Sequence, residues 1–178
     1  MAYQYKREPL TPEEANRLVN ACHSHEEKLV VWSLLDTGLR VSELAGLTRQ
    51  HFDWQSSPPR IVVSGKGGPF GKRSKRRVVP LAARRSRVLL EGHFALHETI
   101  GMTPRTLHRI VRRVAQRANI TRKTSPHVLR HTFSVDSIRK GVSLPALQKV
   151  LGHDHLTTTQ IYLNMSPEDV LREYEEKW

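Results

Sequence analysis

Apolar residues recur at helical spacing along most of the chain. Thr11, Pro12 and Glu14 predict a strong helix start, with a threonine cap, a proline at the first helical position and a glutamate placed for a capping box. Ser125 and Pro126 predict another start of the same kind. The spacing predicts further helices over about residues 26–36, after residue 40, and over about 82–97, 103–118, 125–140, 143–151 and from 166.

Two short β-branched runs, at residues 61–63 and 77–79, predict an antiparallel pair of strands. The glycine-rich segment between them is basic and lacks the ending of a nucleotide-binding phosphate loop. The expected fold class is therefore α+β: a mainly α-helical single domain over residues 11–165 with a small antiparallel β-sheet. Residues 1–10 are expected to be an arm or linker.

The last predicted helix, over residues 166–178, has an apolar stripe formed by Val170, Leu171, Tyr174 and Trp178. This stripe fits either packing on its own domain or docking on a neighbouring copy of the chain. Both interpretations stay open at this point.

The chain has 178 residues and a formal net charge of +12, which predicts a polyanionic partner, usually a nucleic acid. Between residues 72 and 123 the only acids are Glu91 and Glu98. Charges of one sign on a helix repel each other unless an anion lies near, so we expect DNA contacts there. The candidate DNA-binding residues are Lys72, Arg73, Lys75 and Arg76 in the hairpin and Arg105, Arg109, Arg112 and Arg113 on a helix.

The single cysteine, Cys22, excludes an internal disulfide and is expected to be buried. The sequence shows no signal peptide and no apolar run long enough to span a bilayer. We expect no contact with a membrane.

His127 and Arg130 stand three apart in the predicted helix that Ser125 caps, so they share one helix face. An arginine can donate hydrogen bonds to two phosphate oxygens at once, and a histidine can accept or release a proton near neutral pH. This pair suits phosphoryl transfer without a metal, although a capped helix with a polar face explains the same residues.

Arg40 opens a short helix, where its positive charge opposes the helix dipole. This placement argues against a role as a mere helix stabiliser; a solvated loop arginine is the simpler alternative.

A metal site is the other chemical alternative. His127 and His131 stand four apart, as in helical metal sites, and His153 and His155 would complete a ligand set. No acidic or cysteine ligand accompanies them, and Arg130 would repel a cation. We therefore expect neither a metal nor any other cofactor.

Five motifs occur in a fixed order along residues 10–165, and together they resemble those of the tyrosine recombinases, which include phage integrases and Xer-type proteins. The motifs are residues 38–44 (around Arg40), the hairpin from Gly65, Lys66 and Gly67 to residues 77–81, residues 127–131, residues 151–153, and Tyr162. No single motif is decisive, but the set is highly specific.

The resemblance implies a role for each motif. Arg40 and Arg130 would bind the scissile phosphate, and Tyr162 would attack phosphorus to form a 3′-phosphotyrosine. His127 would carry the tyrosine proton, and His153 would bind the phosphate or position the nucleophile. Lys66 would protonate the leaving 5′ oxygen, with Lys72 and Lys75 as rivals.

The resemblance also implies breakage and rejoining of double-stranded DNA without metal or ATP, and assembly of a tetramer on DNA through the C-terminal helix. It implies action in the cytoplasm of a prokaryotic cell, encoded by the cell or by a virus. Compared with the family's usual organisation, we expect the N-terminal DNA-gripping domain to be missing, and the chain to be a catalytic fragment or a naturally minimal enzyme. A type IB topoisomerase-like activity and a catalytically inactive DNA-binding protein are the alternatives.

Overall fold

The computed structural model describes residues 8–64 and 76–152, and this part of the chain is mostly helical with one small antiparallel sheet. The predicted α+β class is confirmed. The helices are α1 (Pro12–Asn20), α2 (His25–Thr37), α3 (Val41–Ala45), α4 (Arg84–Leu96), α5 (Pro104–Arg117), α6 (Pro126–Arg139) and α7 (Leu144–Leu151). The strands are β1 (Phe52–Asp53), β2 (Arg60–Ser64) and β3 (Arg76–Pro80). The predicted tail helix over 166–178 lies outside the described residues.

Side-chain caps fix the helix starts that the sequence predicted. The Thr11 hydroxyl accepts from the Glu14 N–H at 3.2 Å, and the Glu14 carboxylate accepts from the Thr11 N–H at 2.9 Å, which completes the capping box. Ser125 caps α6 by accepting from the Val128 N–H. Helix α4 begins at Arg84, two residues after the predicted start at about residue 82, because Ala83 keeps an extended backbone.

Strands β2 and β3 pair antiparallel, as predicted, and their register places Ile61 opposite Val79 and Val63 opposite Arg77. The alternation of β3 places Arg77 and Val79 on the buried side of the sheet and Arg76 on the exposed side. A charged residue therefore occupies a core-facing position of this strand. The sequence did not predict the two-residue strand β1, which adds to the free edge of β2.

Helix α2 forms the centre of the core, and it packs against α4, α5 and α6. Its fully buried residues include Leu29, Val30 and Leu34. Cys22 is buried beside it, as predicted, and burial raises the pKa of its thiol to about 11. None of the helices within 8–64 and 76–152 is long and apolar enough to cross a bilayer.

Two cations of α5 form ion pairs with a buried carboxylate, which the sequence analysis did not identify. Glu27 of α2, only 4% exposed, forms ion pairs with Arg117 at 2.7 Å and with Arg113 at 3.0 Å. It also accepts from the His23 N–H at 2.8 Å. The hydrogen bonds from Arg117 lower the pKa of Glu27 to about 2 despite its burial. Part of the arginine run therefore serves the packing of α5 on α2.

We predict that Glu27→Gln destabilises the fold by about 1–2 kcal/mol at pH 7, because the buried side chain then accepts from Arg113 and Arg117 without the negative charge that strengthens those bonds. The folded-state pKa of about 2 lies below the ordinary 4.5, so the Glu27 contribution is present above pH 4.5 and is lost as the pH falls towards 2. Urea unfolding at several pH values measures this difference. A stability difference that stays constant from pH 7 to pH 3 would contradict the assignment.

Candidate active site

A cavity of about 520 Å³ opens between the start of α3, the middle of α5 and the start of α6. Three residues that the sequence singled out line it: Arg40, His127 and Arg130. His108 and Lys123 also line it, and sequence reasoning missed both. The cavity is thus lined by arginine, lysine and histidine side chains that lie far apart in the sequence.

Arg130 is held in place by backbone carbonyl groups. Its side chain lies on α6, is 7% exposed, and donates to the carbonyl of Leu151 at 2.7 Å and to the carbonyl of Gly38. These carbonyls belong to the ends of α7 and α2, where helical acceptors lack helical partners and the helix dipole is negative. Burial, together with repulsion from Arg40, lowers the pKa of Arg130 to about 10, so it stays charged at neutral pH.

Arg40 is the residue that caps the start of α3, and its guanidinium is half exposed at the cavity wall. It donates to the carboxylate of Glu43 at 2.9 Å and to the carbonyl of Gly152 at 3.4 Å. Glu43 also accepts from the Arg40 backbone N–H at 2.7 Å. The carboxylate in the first turn therefore offsets the unfavourable placement of a cation at a helix N-terminus.

Glu43 is a site residue that sequence reasoning left without a role. It is nearly buried and accepts from Arg77 through both oxygens, at 2.7 and 2.6 Å. Burial raises its pKa, but the hydrogen bonds from Arg77 and from the Arg40 backbone outweigh burial and lower the pKa to about 2. Its position three residues after a helix cap was the available signal.

Two glycines bring these helix ends close to the site. Gly38 ends α2 as predicted, with a φ of 61° in the left-handed region. A Cβ there would stand 2.3 Å from the Phe133 ring of α6. Gly152 ends α7 with a φ of 66°. Both helices can therefore present their last carbonyls to the arginines.

His127 sits in the first turn of α6, one turn before Arg130, and its side chain is exposed at the cavity. The prediction that one helix face presents both groups is therefore confirmed. His131 is half-buried on the same helix. Within residues 8–64 and 76–152 there is no cluster of three or more His, Cys, Asp or Glu side chains with metal-binding geometry.

The other predicted site residues divide into two groups. Arg76, Arg105, Arg109, Arg112 and Arg113 are exposed. The remaining predicted residues lie outside the described residues: Lys66, Lys72, Arg73, Lys75, His153, His155 and Tyr162.

Helix α5 presents its cations in a definite order around its axis. At about 100° per residue, His108 comes first, followed by Arg112, Arg105, Arg109, Arg113 and Arg117. His108 lines the cavity, whereas Arg113 and Arg117 reach Glu27 on the far side. Arg112 and Arg105 therefore lie nearest to His108 around the helix, and the DNA contact predicted for Arg113 has less support because its charge is already paired.

Comparisons with known proteins identify relatives along almost the whole chain. The phage integrase family matches residues 8–169. Tyrosine recombinase XerA of Thermococcus onnurineus is 34% identical over 187 residues, covering 94% of this chain and 61% of that protein. Tyrosine recombinase XerA of Saccharolobus solfataricus is 30% identical over 164 residues, covering 90% of this chain and 53% of that protein.

Solved structures agree with the sequence relatives. A crystal structure of XerA recombinase superposes with a TM-score of 0.79 at 29% identity, covering 96% of this chain and 65% of that one. A XerH site-specific recombinase bound to its difH substrate after cleavage gives a TM-score of 0.75 at 22% identity, which shows a shared fold; it covers 96% of this chain and 53% of that one. The chain spans little more than half the length of its XerA relatives. With its fold, its paired arginines and a family match from residue 8 to residue 169, the chain belongs to the phage integrase family of tyrosine recombinases.

Proposed function

We propose that this chain carries the catalytic centre of a site-specific recombinase that breaks and rejoins double-stranded DNA. The observation that carries the proposal is the convergence of Arg40 and Arg130 on one cavity beside His127. Two directed guanidinium groups suit the non-bridging oxygens of a phosphodiester, where negative charge develops during phosphoryl transfer. The solved relative XerH carries DNA in its structure, which supports the same class of ligand for this chain.

In the proposed reaction, the Tyr162 oxygen forms a bond to phosphorus while the bond from phosphorus to the 5′ oxygen breaks. A free phenol has a pKa of about 10, so the attack needs a base or nearby positive charge. His127 takes the tyrosine proton, Lys66 gives a proton to the leaving oxygen, and His153 supports the phosphate or the nucleophile.

The product of this step is a 3′-phosphotyrosine link. Because the link keeps the phosphodiester bond energy, the reverse attack by a 5′ hydroxyl rejoins DNA without ATP. The arginines supply the positive charge for which other phosphoryl-transfer enzymes use a metal ion.

The proposed DNA surface extends from the cavity along α5. Arg112, Arg105 and Arg109 follow His108 around the helix and are exposed. We also retain Arg76 at the exposed end of β3 and the hairpin residues Lys72, Arg73 and Lys75. Contacts of this kind bind the phosphate backbone and do not specify sequence.

The proposed organisation follows the sequence: a catalytic domain over residues 11–165 and a tail helix over 166–178 that contacts a second copy in a tetramer on DNA. The apolar stripe on the predicted tail helix supports this assembly.

We predict that Tyr162→Phe abolishes covalent capture of DNA while DNA affinity stays within about twofold, because only the nucleophilic oxygen is lost. The assay mixes the protein at low salt with labelled, nicked duplexes whose sequence is randomised, since the target site is not encoded in a motif. A detergent-stable adduct is then counted on a denaturing gel. Adduct formation by Tyr162→Phe, or none by the unmodified chain on any duplex, would contradict the proposal.

We predict that Arg130→Lys lowers the rate of adduct formation at least about a hundredfold. A lysine ammonium cannot bind the phosphate and also replace the two hydrogen bonds that the guanidinium donates to the carbonyls of Gly38 and Leu151. The matched control is Arg139→Lys, an exposed position on the same helix. Filter binding and thermal melting check that DNA affinity and folding are retained. Equal rates for the two variants would contradict the role of Arg130.

We predict that Arg105→Gln with Arg112→Gln reduces the slope of log affinity against log salt by about 2, since each lost phosphate contact removes about one unit. Arg113→Gln is expected to change the slope less, because its guanidinium is paired with Glu27. Fluorescence anisotropy with a duplex at several salt concentrations measures both. A larger change for Arg113→Gln would show that the DNA surface lies on the other side of α5.

A further inference from the structure

Arg77 is a nearly buried arginine that has no role in the reaction proposed above and does not line the cavity. It occupies a core-facing position of β3 and its side chain is 7% exposed. Each of its three nitrogens donates a hydrogen bond: the two terminal nitrogens to Glu43 at 2.7 and 2.6 Å, and Nε to the carbonyl of Val150 at 2.8 Å. Arg77 therefore joins the sheet to α3 and to the end of α7.

The contact of Arg77 with α3, through Glu43, affects Arg40. Glu43 receives Arg77 through both oxygens and also binds the backbone N–H and the guanidinium of Arg40. A carboxylate gripped by a buried bidentate arginine has little rotational freedom. The orientation of the Arg40 guanidinium at the cavity therefore depends on Arg77 through one intervening side chain.

The contact of Arg77 with the end of α7 affects both Arg40 and Arg130. Arg77 fixes the carbonyl of Val150 in the last turn of α7, and the next two carbonyls accept from the site: Leu151 from Arg130 at 2.7 Å and Gly152 from Arg40 at 3.4 Å. The chain at Gly152 also lies directly against the Arg77 side chain, since a Cβ there would stand 2.7 Å from its Cδ. The position of the α7 end relative to the sheet is thus set by this contact.

We propose that Arg77 is a positioning residue that orients both phosphate-binding arginines, Arg40 through Glu43 and Arg130 through the end of α7. The inference rests on the proposed function of that site. Arg77 is not itself a phosphate ligand, because its nearly buried side chain does not line the cavity. The alternative is an ion pair that only stabilises the fold, and such a pair would not govern the order of a neighbouring guanidinium.

The first test measures side-chain order in the DNA-free protein. Relaxation of the arginine Nε–H resonances, assigned with Arg40→Lys and Arg130→Lys, is compared between the unmodified chain, Arg77→Met and Arg60→Met. Arg60 is the matched control, because it lies on the neighbouring strand β2 and pairs with the exposed Asp53. We expect the order parameters of Arg40 and Arg130 to fall from about 0.8 to below about 0.6 in Arg77→Met only.

The second test measures the reaction. We expect Arg77→Met to slow adduct formation about a hundredfold with DNA affinity within about twofold, as for a site whose groups are displaced by an ångström. Arg77→Lys is the milder variant if Arg77→Met folds poorly, because it keeps the charge but cannot reproduce three hydrogen bonds from three separate nitrogens. In an Arg40→Lys background, the Arg77 substitution is expected to slow the reaction less, since one of its two targets is already lost.

The outcomes separate the inference from the function that it assumes. No adduct from the unmodified chain contradicts the proposed function, while the order parameters still decide the role of Arg77. Unchanged order of Arg40 and Arg130 in a folded Arg77 variant overturns the inference. So does a rate loss that matches Arg60→Met or that is fully additive with Arg40→Lys.

Discussion

The site depends on holding two like-charged guanidinium groups, those of Arg40 and Arg130, side by side in one cavity. Their mutual repulsion contributes to the lowered pKa of Arg130. The protein compensates with acceptors that carry negative charge or lie at the negative ends of helices: the Glu43 carboxylate and the carbonyls of Gly38, Leu151 and Gly152. A cavity built in this way attracts an anion and holds the groups that bind it in a fixed geometry.

The helix ends and the sheet position the carbonyl and carboxylate groups that accept from Arg40 and Arg130. Helix α2 ends at Gly38, whose closeness to Phe133 leaves no room for a side chain, so its last carbonyl reaches Arg130. Helix α7 ends beside Arg77 of the sheet. On the opposite side, Glu27 anchors α5 through Arg113 and Arg117, while His108 of the same helix lines the cavity and Arg105 and Arg112 stay exposed. Anchoring of α5 and exposure of its cations near the site are thus two consequences of one helix orientation.

Local signals in the sequence predicted the parts of the structure that local interactions determine. The caps at Thr11 and Ser125 and the stop at Gly38 define helix ends within a few residues, and His127 and Arg130 share a face because of helical spacing alone. The sequence did not reveal Glu43 and Arg77 as partners, because their contact joins a helix to a strand 34 positions away. His108 and Lys123 were missed for the same reason: only tertiary packing brings them to the cavity. The arginines of α5 were grouped together, whereas the buried Glu27 divides them into paired and exposed members.

The central claim is that the cavity between α3, α5 and α6 binds a phosphodiester through Arg40 and Arg130. Crystals grown with sodium tungstate test it directly, since the anion resembles a transferring phosphoryl group and scatters strongly enough to be located without ambiguity. The account predicts one tungstate in this cavity, with oxygens about 3 Å from nitrogens of both arginines. Tungstate bound only along α5, or a cavity that holds no anion at saturating tungstate, would contradict it.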